Sequence, residues 1–448
     1  MTDNAKTIPS DSVPASQGDW AAPLAPVGGF RAEVSVPGSK SLSNRYLVLA
    51  ALAAGPAVIR GLLRSRDTEL MMAALTALGA SFSPGTAPGE WRSVPLSPVT
   101  GDIEIDTGLA GTVMRFLPPV AAQVAASVRF DGDEGARVRP MAPIIDALRA
   151  LGVRVDDGGD GLLPFTVHGN PHLRGGHVDV DASKSSQFVS GLLLAAPRMS
   201  EGLTVRHIGP TLPSLPHIAM TVAVLRQFGI QVDDSRDAIW RVYPGPVQAE
   251  QIRVEPDLSN AGAFMCAAAA APAGSSVTIP GWPRATTQPG DMMPGILEQM
   301  GARTSLDGDR LTVTSSGQLR GIDADLAAGG ELAPQIAALA TLADSPTRLR
   351  GIAHLRGHET DRLAALATEI NRLGGRAEQT SDGLVITPLP LRGGLWRTYH
   401  DHRMAHAGAI VGLATPGVVV QDIATTAKTM PGFAGMWEDM LGTGIKEQ

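Results

Sequence analysis

The sequence predicts a mixed α/β protein built from six copies of one module that contains strands and two helices. Three observations support this prediction. A short polar or glycine-containing segment is followed six times by an apolar run rich in alanine and leucine. A glycine closes a second helical pattern in each copy. Short alternating segments typical of strands follow most of these glycines. An internal repeat of this kind defines the architecture before any single motif does.

The first helix of each copy is predicted directly after its polar segment, where serine, threonine, aspartate and glycine favour a helix start. The apolar runs that form these helices are 45–54, 113–122, 188–196, 261–271, 335–343 and 404–414. They lack a polar face, so we expect them to be buried on most sides. Their free N–H groups attract anions. If three units pack around a pseudo-threefold axis, the starts of their three first helices point in the same direction. Six units would form two such lobes.

Glycines mark the ends of the second helices, because glycine tolerates the positive φ that closes a helix. They are Gly79, Gly152, Gly229, Gly301, Gly374 and Gly442. Strands are expected after them, for example at 153–155, 230–232, 302–304, 311–313 and 384–386. A linear solenoid is the alternative arrangement. It is disfavoured because the period of about 73 residues exceeds the usual period of roughly 20–50 residues.

Composition excludes several classes of protein. The chain has 448 residues, a formal net charge of −7 and 44% hydrophobic residues, which excludes intrinsic disorder. Its longest apolar run, 263–271, is too short to span a membrane. The net negative charge of the chain argues against a general nucleic-acid-binding protein. A single cysteine, Cys266, excludes intrachain disulfides and paired-cysteine zinc sites. We therefore expect a monomeric cytoplasmic protein that binds neither nucleic acid nor membrane.

The amino-terminal 29 residues differ from the rest of the chain. They are rich in proline, serine, alanine and aspartate, and no apolar segment follows a basic start. They resemble neither a signal peptide nor a transit peptide. We expect 1–29 to be a flexible tail.

Three helix starts in the first half suit an anionic ligand. The segment 37–45 combines a glycine turn, hydroxyls, Lys40 and Arg45, although its spacing excludes a Walker A nucleotide loop. The glycines of 108–112 allow a ligand to approach the backbone closely. The segment 185–187 offers two hydroxyl groups. Ordinary capped helices with solvated side chains are the alternative interpretation of all three.

The last third of the chain places charges of both signs inside apolar flanks, at 358–362, 399–404 and 425–429. A solvated surface explains this pattern poorly, so we expect a functional site. The histidines there suggest a metal. We disfavour it because Gly357 separates His354 from His358 and no cysteine or carboxylate cluster completes a ligand set. We expect neither a metal nor a cofactor.

Taken together, the motifs resemble those of the 5-enolpyruvylshikimate-3-phosphate synthase family over about 34–428. They are PGSKSxSNR at 37–45, AGTxxR at 110–115, RP at 139–140, SSQF at 185–188, ETDRL at 359–363, DHRMA at 401–405 and AKT at 427–429. The resemblance implies an enolpyruvyl transferase-like fold of two lobes. Each lobe would hold three βαβαββ units around a pseudo-threefold axis. One discontinuous lobe would comprise 30–36 plus 256–448 and the second lobe 37–255, with both substrates between them.

The resemblance also implies the activity: transfer of the enolpyruvyl group of phosphoenolpyruvate to the 5-hydroxyl of shikimate 3-phosphate, with release of phosphate. Two sets of residues are implied as ligands. The shikimate 3-phosphate set is Lys40, Ser41, Arg45, Ser185, Ser186, Gln187, Ser214, Glu331 and His358. The phosphoenolpyruvate set is Lys40, Gly111, Arg139, Gln187, Arg362, Arg403 and Lys428.

Four residues are implied as catalytic. Glu331 stands where the family usually has an aspartate base and is one methylene longer. Glu359 and Lys428 are the candidates for proton transfer, and Lys40 would support the departing phosphate.

Four other positions depart from the family pattern. His354 and His358 stand where many members have asparagine and lysine, Leu109 replaces a common asparagine, and Phe116 replaces a common proline. Gly111 keeps hydrogen in place of a methyl, so we expect inhibition by glyphosate, which occupies the phosphoenolpyruvate site.

Two alternative functions are considered. The sister enzyme that transfers enolpyruvate to UDP-N-acetylglucosamine uses a loop cysteine as its acid, and the loop at 132–140 has none. A non-catalytic anion-binding scaffold would keep the helix starts. It would have no need for Glu331, Glu359 and Lys428 together.

Overall fold

A computed structural model describes residues 18–357 and 360–442. Its helices are α1 (Lys40–Ala51), α2 (Arg66–Ala77), α3 (Gly111–Ala121), α4 (Glu134–Arg137), α5 (Ala142–Ala150), α6 (Gln187–Ala195), α7 (Leu215–Gln227), α8 (Leu258–Ala270), α9 (Met293–Gln299), α10 (Ala333–Ala340), α11 (Arg362–Arg372), α12 (His402–Gly412) and α13 (Phe433–Leu441). Short 3₁₀ helices lie at Ala196–Arg198, Pro289–Met292, Gly330–Leu332, Ala353–Gly357 and Ile423–Lys428.

The strands are short and alternate with the helices. They are β1 (Trp20–Ala21), β2 (Arg31–Glu33), β3 (Ala57–Arg60), β4 (Ser81–Pro84), β5 (Glu90–Val94), β6 (Thr100–Asp106), β7 (Ala125–Asp131), β8 (Arg154–Asp156), β9 (Phe165–His168), β10 (Gly176–Val180), β11 (Leu203–His207), β12 (Val232–Arg236), β13 (Ile239–Val242), β14 (Gln251–Arg253), β15 (Ser276–Pro280), β16 (Arg303–Asp307), β17 (Arg310–Thr314), β18 (Asp323–Asp325), β19 (Thr347–Arg350), β20 (Arg376–Gln379), β21 (Leu384–Thr387), β22 (Gly394–Trp396) and β23 (Val418–Val420).

One sheet pattern recurs through the molecule. Strands β6 and β7 are parallel and joined through α3, while β9 pairs antiparallel with β7 and β8 forms the edge. The same order is found in the sheets β10-β11-β13-β12, β14-β3-β5-β4, β2-β15-β17-β16 and β18-β19-β21-β20. Each of these five units is therefore βαβαββ, and the fold class expected from the repeats is confirmed.

The first strands of two units come from distant parts of the chain. Strand β14 pairs in parallel with β3, and β2 pairs in parallel with β15. The two connecting segments run side by side, because the N–H of Ser39 donates to the Glu255 carbonyl at 2.8 Å and that of Asp257 to the Pro37 carbonyl at 2.9 Å. A Cβ at Gly38 would lie 1.9 Å from the Gly61 carbonyl oxygen, so only glycine fits this crossing.

The sixth sheet is completed from the amino-terminal side of the chain. Its order is β1-β23-β22. Strand β1 is antiparallel to β23, with Trp20 opposite Val420, and β22 is parallel to β23. The Trp20 indole N–H donates to Glu438 Oε1 at 2.8 Å. The tail expected over 1–29 is therefore corrected for its described part, since 20–21 form a strand. Residues 1–17 lie outside the described residues.

Buried apolar side chains form two large clusters, one within 42–254 and one that joins 34–36 to 258–441, and a small third cluster of Ala22, Ala405 and Val420. In the first cluster, α1, α3 and α6 contact one another, and in the second α8, α10 and α12 do so. These six are the predicted alanine-rich helices, and their burial is confirmed. The six predicted closing glycines all have positive φ, for example 105° at Gly79 and 106° at Gly301.

Within the described residues, the helices are all too short or too polar to cross a lipid bilayer.

Candidate active site

The start of α1 places a lysine near two carboxylates. Ser39 caps the helix by accepting from the Leu42 N–H at 3.4 Å. The Lys40 Nζ lies 3.5 Å from Asp67 Oδ2, and its side chain is 20% exposed. The Lys40 backbone N–H donates to Asp257 Oδ2 at 3.3 Å across the crossing. Lys40 therefore lies where the segments that join the two clusters meet.

At the start of α3, a glycine lies among two guanidinium groups and an amide. A Cβ on Gly111 would lie 2.7 Å from Arg115 Nη1, 3.0 Å from Arg139 Nη2 and 3.0 Å from Gln187 Oε1. Arg115 Nη1 donates to Gln187 Oε1 at 3.0 Å, and Arg139 Nη1 donates to the Leu109 carbonyl at 3.1 Å. The four residues 111, 115, 139 and 187 form what we call the arginine pocket.

Hydroxyl groups surround the start of α6. Ser185 Oγ accepts from the Gln187 N–H at 3.3 Å, and Ser186 is buried. Ser214, the N-cap of α7, takes a left-handed conformation with φ of 56°. Ser185, Ser186 and Gln187 thus lie on consecutive positions beside the arginine pocket.

Arg45 is buried beneath this region. Its Nε donates to Thr221 Oγ1 at 2.8 Å, its Nη2 to the His217 carbonyl at 2.8 Å and its Nη1 to the Ser41 carbonyl at 2.9 Å. The Phe116 ring lies 5.3 Å from the guanidinium carbon. Burial lowers the pKa of Arg45 below its ordinary value. The partners of Arg45 are neutral, and Phe116 contacts it from the core.

The lobe whose apolar cluster joins 34–36 to 258–441 contributes the predicted base. Glu331 lies in the 3₁₀ turn before α10, half-buried, and Ser259 Oγ donates to its Oε1 at 3.4 Å. The same oxygen lies 3.9 Å from Nε2 of His217, a residue of α7 in the other lobe. Glu331 therefore faces the cleft and meets the opposite lobe there.

Two arginines surround Asp401 at the start of α12. Arg362 Nε and Nη2 donate to the two oxygens of Asp401 at 2.8 and 3.2 Å, with both side chains buried. The Arg403 N–H donates to Asp401 Oδ1 at 2.8 Å. Burial lowers the pKa of Arg403, while the carboxylates of Asp257 and Glu331 oppose the shift. Its Nη1 is a buried donor without a described partner.

Lys428 ends the 3₁₀ helix Ile423–Lys428 and is half-buried. The next residue, Thr429, accepts through its carbonyl from Asn260 Nδ2 at 3.1 Å, which ties this segment to the start of α8.

His354 faces Glu331, and burial lowers its pKa. The expected residues His358 and Glu359 lie outside the described residues.

A cavity of about 1190 Å³ opens between the lobes. Ser214 and Trp240 line it from one lobe, and Thr287, His354 and Asp382 line it from the other. Of the predicted ligand residues, Ser214 belongs to its described lining. The arginine pocket and Asp401 with its two arginines lie outside that lining.

Motif analysis missed several residues that the structure brings to the site. Arg115 and Asp401 stand inside quoted motifs, and their positions at helix starts were an available signal. Asp257 follows the second crossing and caps α8 by accepting from the Asn260 N–H at 3.0 Å. His217 lies three residues after Ser214 and had no signal of its own, because its partner Glu331 is remote in sequence.

Comparison with known proteins identifies the family. The family profile described as EPSP synthase (3-phosphoshikimate 1-carboxyvinyltransferase) matches residues 24–437. The chain belongs to this family. It is 54% identical over 435 residues to a 3-phosphoshikimate 1-carboxyvinyltransferase from Kocuria rhizophila, an alignment that covers 95% of this chain and 97% of the relative. The resemblance inferred from the motifs is thereby confirmed.

Solved structures agree with this assignment. An EPSP synthase from Acinetobacter baumannii superposes with a TM-score of 0.79 at 26% identity, over 95% of this chain and 98% of that one. The enolpyruvyl transferase NikO from Streptomyces tendae superposes with a TM-score of 0.71 at 17% identity, over 94% and 96% of the two chains. The second likeness concerns the fold alone. The family carries out enolpyruvyl transfer from phosphoenolpyruvate to shikimate 3-phosphate, and this chain is such a transferase.

Proposed function

We propose that this chain performs enolpyruvyl transfer in the cleft between its two lobes, with each lobe contributing a different part of the chemistry. Phosphoenolpyruvate would be bound by Lys40, Gly111, Arg139, Gln187, Arg362, Arg403 and Lys428. Shikimate 3-phosphate would be bound by Lys40, Ser41, Arg45, Ser185, Ser186, Gln187, Ser214, Glu331 and His358. No metal or cofactor enters this proposal.

The arginine pocket is the observation that supports the proposal most directly. Guanidinium groups of Arg115 and Arg139, an amide and a glycine helix start meet within about 3 Å of one point. Guanidinium groups match carboxylate and phosphate oxygens in two-point contacts. Two anionic substrates repel each other strongly in a poorly solvated cleft, and fixed cations with free helix N–H groups offset that repulsion.

The reaction is an addition followed by an elimination. In the addition, Glu331 accepts the proton of the 5-hydroxyl, the oxygen forms a bond to C2 of phosphoenolpyruvate, and C3 gains a proton from Lys428 or Glu359. In the elimination, C3 gives a proton back to Lys428 or Glu359, the C2–O bond to phosphate breaks with its electron pair leaving on the phosphate, and the C2–C3 double bond is restored. Lys40 stabilises the charge on the leaving phosphate.

Substitution of Glu331 tests the assignment of the base. Glu331→Gln keeps the size of the side chain and removes its basicity, so we expect kcat for phosphate release to fall by about 10²–10⁴-fold. Binding of shikimate 3-phosphate, measured by calorimetry, should weaken by less than about tenfold, because the phosphate ligands remain. Glu201→Gln, at a surface carboxylate paired with Arg174, is the control and should behave as the unmodified protein.

Two results would contradict the proposal. Retention of more than about a tenth of kcat in Glu331→Gln would remove this residue from the role of base. Absence of phosphate release in the unmodified protein, with both ligands still bound, would favour the anion-binding scaffold considered from the sequence.

Three expectations stay predictions: a monomeric state, a cytoplasmic location, and no binding to nucleic acid or membranes. The lone cysteine, Cys266, is buried in α8, and burial raises the pKa of its thiol. This unreactive thiol is compatible with a reducing compartment.

A further inference from the structure

The backbone of His217 is held firmly at the start of α7. Its N–H donates to the carbonyl of the left-handed Ser214 at 3.0 Å. Its own carbonyl accepts from buried Arg45 Nη2 at 2.8 Å and from Thr221 Oγ1 at 3.0 Å. The segment that carries this imidazole is thus fixed by a buried arginine that belongs to the same lobe.

The imidazole itself crosses the cleft toward the other lobe. Its Nε2 lies 3.9 Å from Glu331 Oε1, with the two side chains 26% and 20% exposed. Ser259 Oγ donates to the same carboxylate oxygen at 3.4 Å. Donors from two lobes therefore converge on one oxygen of the predicted base.

Burial of the ring favours its neutral form. Burial lowers the pKa of His217, and the guanidinium groups of Arg45 and Arg403 act in the same direction. The carboxylates of Glu331 and Asp257 oppose this shift. A neutral imidazole with its proton on Nε2 donates a hydrogen bond to a carboxylate and leaves the carboxylate charged.

We infer that His217 is a positioning residue for the base: from the opposite lobe, its Nε2–H orients the Glu331 carboxylate toward the 5-hydroxyl of shikimate 3-phosphate. This inference rests on the proposed role of Glu331. The contact requires a shortening of about 1 Å to reach hydrogen-bond length, and hydrogen bonds at catalytic groups commonly tighten only when substrate is bound.

The length of Glu331 fits this arrangement. Glutamate extends one methylene further than the aspartate usual in the family, and in this chain that reach brings the carboxylate to within 3.9 Å of a ring in the other lobe. An aspartate at position 331 would withdraw the carboxylate from His217. The contact therefore depends on both side chains, and their effects on turnover should not be independent.

Two substitutions of His217 separate orientation from packing. His217→Phe keeps a ring but removes the donor, so we expect kcat to fall about tenfold while the KM for shikimate 3-phosphate changes less than about threefold. Loss of the donor destabilises the ionised carboxylate, so the acidic limb of the kcat profile should move to higher pH by about one pH unit. His217→Gln supplies an amide N–H donor at a similar distance from the backbone. It should restore most of kcat and return the acidic limb of the kcat profile to its original pH.

A matched control comes from His168, whose Nε2 lies 2.7 Å from Asp156 on an outer sheet and whose side chain is 31% exposed. His168→Phe should leave kcat and the pH profile unchanged. In a double-mutant cycle, Glu331→Asp should lower kcat by a smaller factor in the His217→Phe background than in the unmodified protein.

The outcomes distinguish this inference from the proposed function. An unmodified protein without phosphate release overturns the proposed function. If the unmodified protein is active and Glu331→Gln is not, then wild-type kcat and pH profile in His217→Phe overturn the inference alone. The inference is also overturned if kcat falls in both His217→Phe and His217→Gln while the acidic limb of the kcat profile stays in place. That result would mean that His217 acts only through packing.

Discussion

Buried arginines in the two lobes differ in their hydrogen-bond partners. In the lobe whose apolar cluster lies within 42–254, which we call the first lobe, the buried Arg45 and Arg115 are hydrogen-bonded to neutral oxygens and lie against the rings of Phe116 and Phe188. In the other lobe, Arg362 makes two hydrogen bonds to the buried carboxylate of Asp401. These hydrogen-bond partners therefore leave the positive charge of Arg45 and Arg115 unbalanced, whereas Asp401 balances that of Arg362.

Because of this difference, the surfaces that the two lobes turn toward the cleft, here called the first and second face, are suited to different functions. Positive charge with neutral partners is costly to bury until an anion arrives, so the first face is suited to hold substrate phosphate or carboxylate. The Arg362–Asp401 pair fixes the positions of its side chains and attracts an anion less strongly than an arginine with neutral partners does. The second face is therefore suited to hold Glu331 in place. Arg403, whose buried Nη1 has no described partner, would add an anion contact from the second face, so both faces would bind phosphoenolpyruvate.

The largest effect should come from breaking the balanced pair. Asp401→Asn keeps the size of the side chain and leaves Arg362 without its counter-charge, so we expect the free energy of unfolding to fall by about 3–5 kcal/mol. In the first lobe, Thr221→Val removes a neutral partner of buried Arg45 and should cost about 1.5–3 kcal/mol. Urea unfolding of both variants measures the difference. Equal losses would show that the two faces do not differ in this way.

A smaller effect is expected from filling the arginine pocket. In Gly111→Ala, the added methyl group would lie 2.7 Å from Arg115 Nη1 and 3.0 Å from Arg139 Nη2, so we expect the KM for phosphoenolpyruvate to rise about tenfold. The IC50 of glyphosate should rise with it, from an unmodified value below the millimolar range. Gly295→Ala in α9, where a Cβ meets nothing within 4 Å, is the control in the other lobe. An unchanged KM in Gly111→Ala would move phosphoenolpyruvate away from this pocket.

The smallest effect concerns acid stability. His406 on α12 is fully buried against Phe433, and burial together with Arg403 holds its pKa well below 6.5. The inner helices α1, α3 and α6 of the first lobe contain no histidine. The unfolded chain takes up a proton near pH 6.5 while the folded chain does not. Stability is therefore complete above that pH and falls below it by at most about 1.4 kcal/mol per pH unit.

Urea midpoints between pH 7.5 and 5 test this expectation. His406→Gln should reduce the dependence on pH, to which the lowered pKa values of His217 and His354 also contribute, whereas His172→Gln at an exposed position should not. A slope in His406→Gln equal to that of the unmodified protein would show that other groups cause the acid sensitivity.

Much of the architecture could be predicted from sequence because its signals are local. The six inner helices follow from continuous apolar runs, and their closing glycines follow from the positive φ that such ends require. Lys40, Gly111 and Arg403 could be proposed as ligands because anion-binding groups at helix starts form short motifs. Neither inference needs information about distant residues.

Other features are determined only by tertiary contacts. The exchange of β2 and β14 between units and the pairing of Trp20 with Val420 join segments that lie far apart in the chain. The contacts Arg362 with Asp401 and His217 with Glu331 likewise join different helices or lobes. Helix runs and caps depend on neighbours within a few residues, so the chain alone determines them. Strand partners, counter-charges and contacts across the cleft depend on which surfaces meet after packing, and only the folded structure decides them.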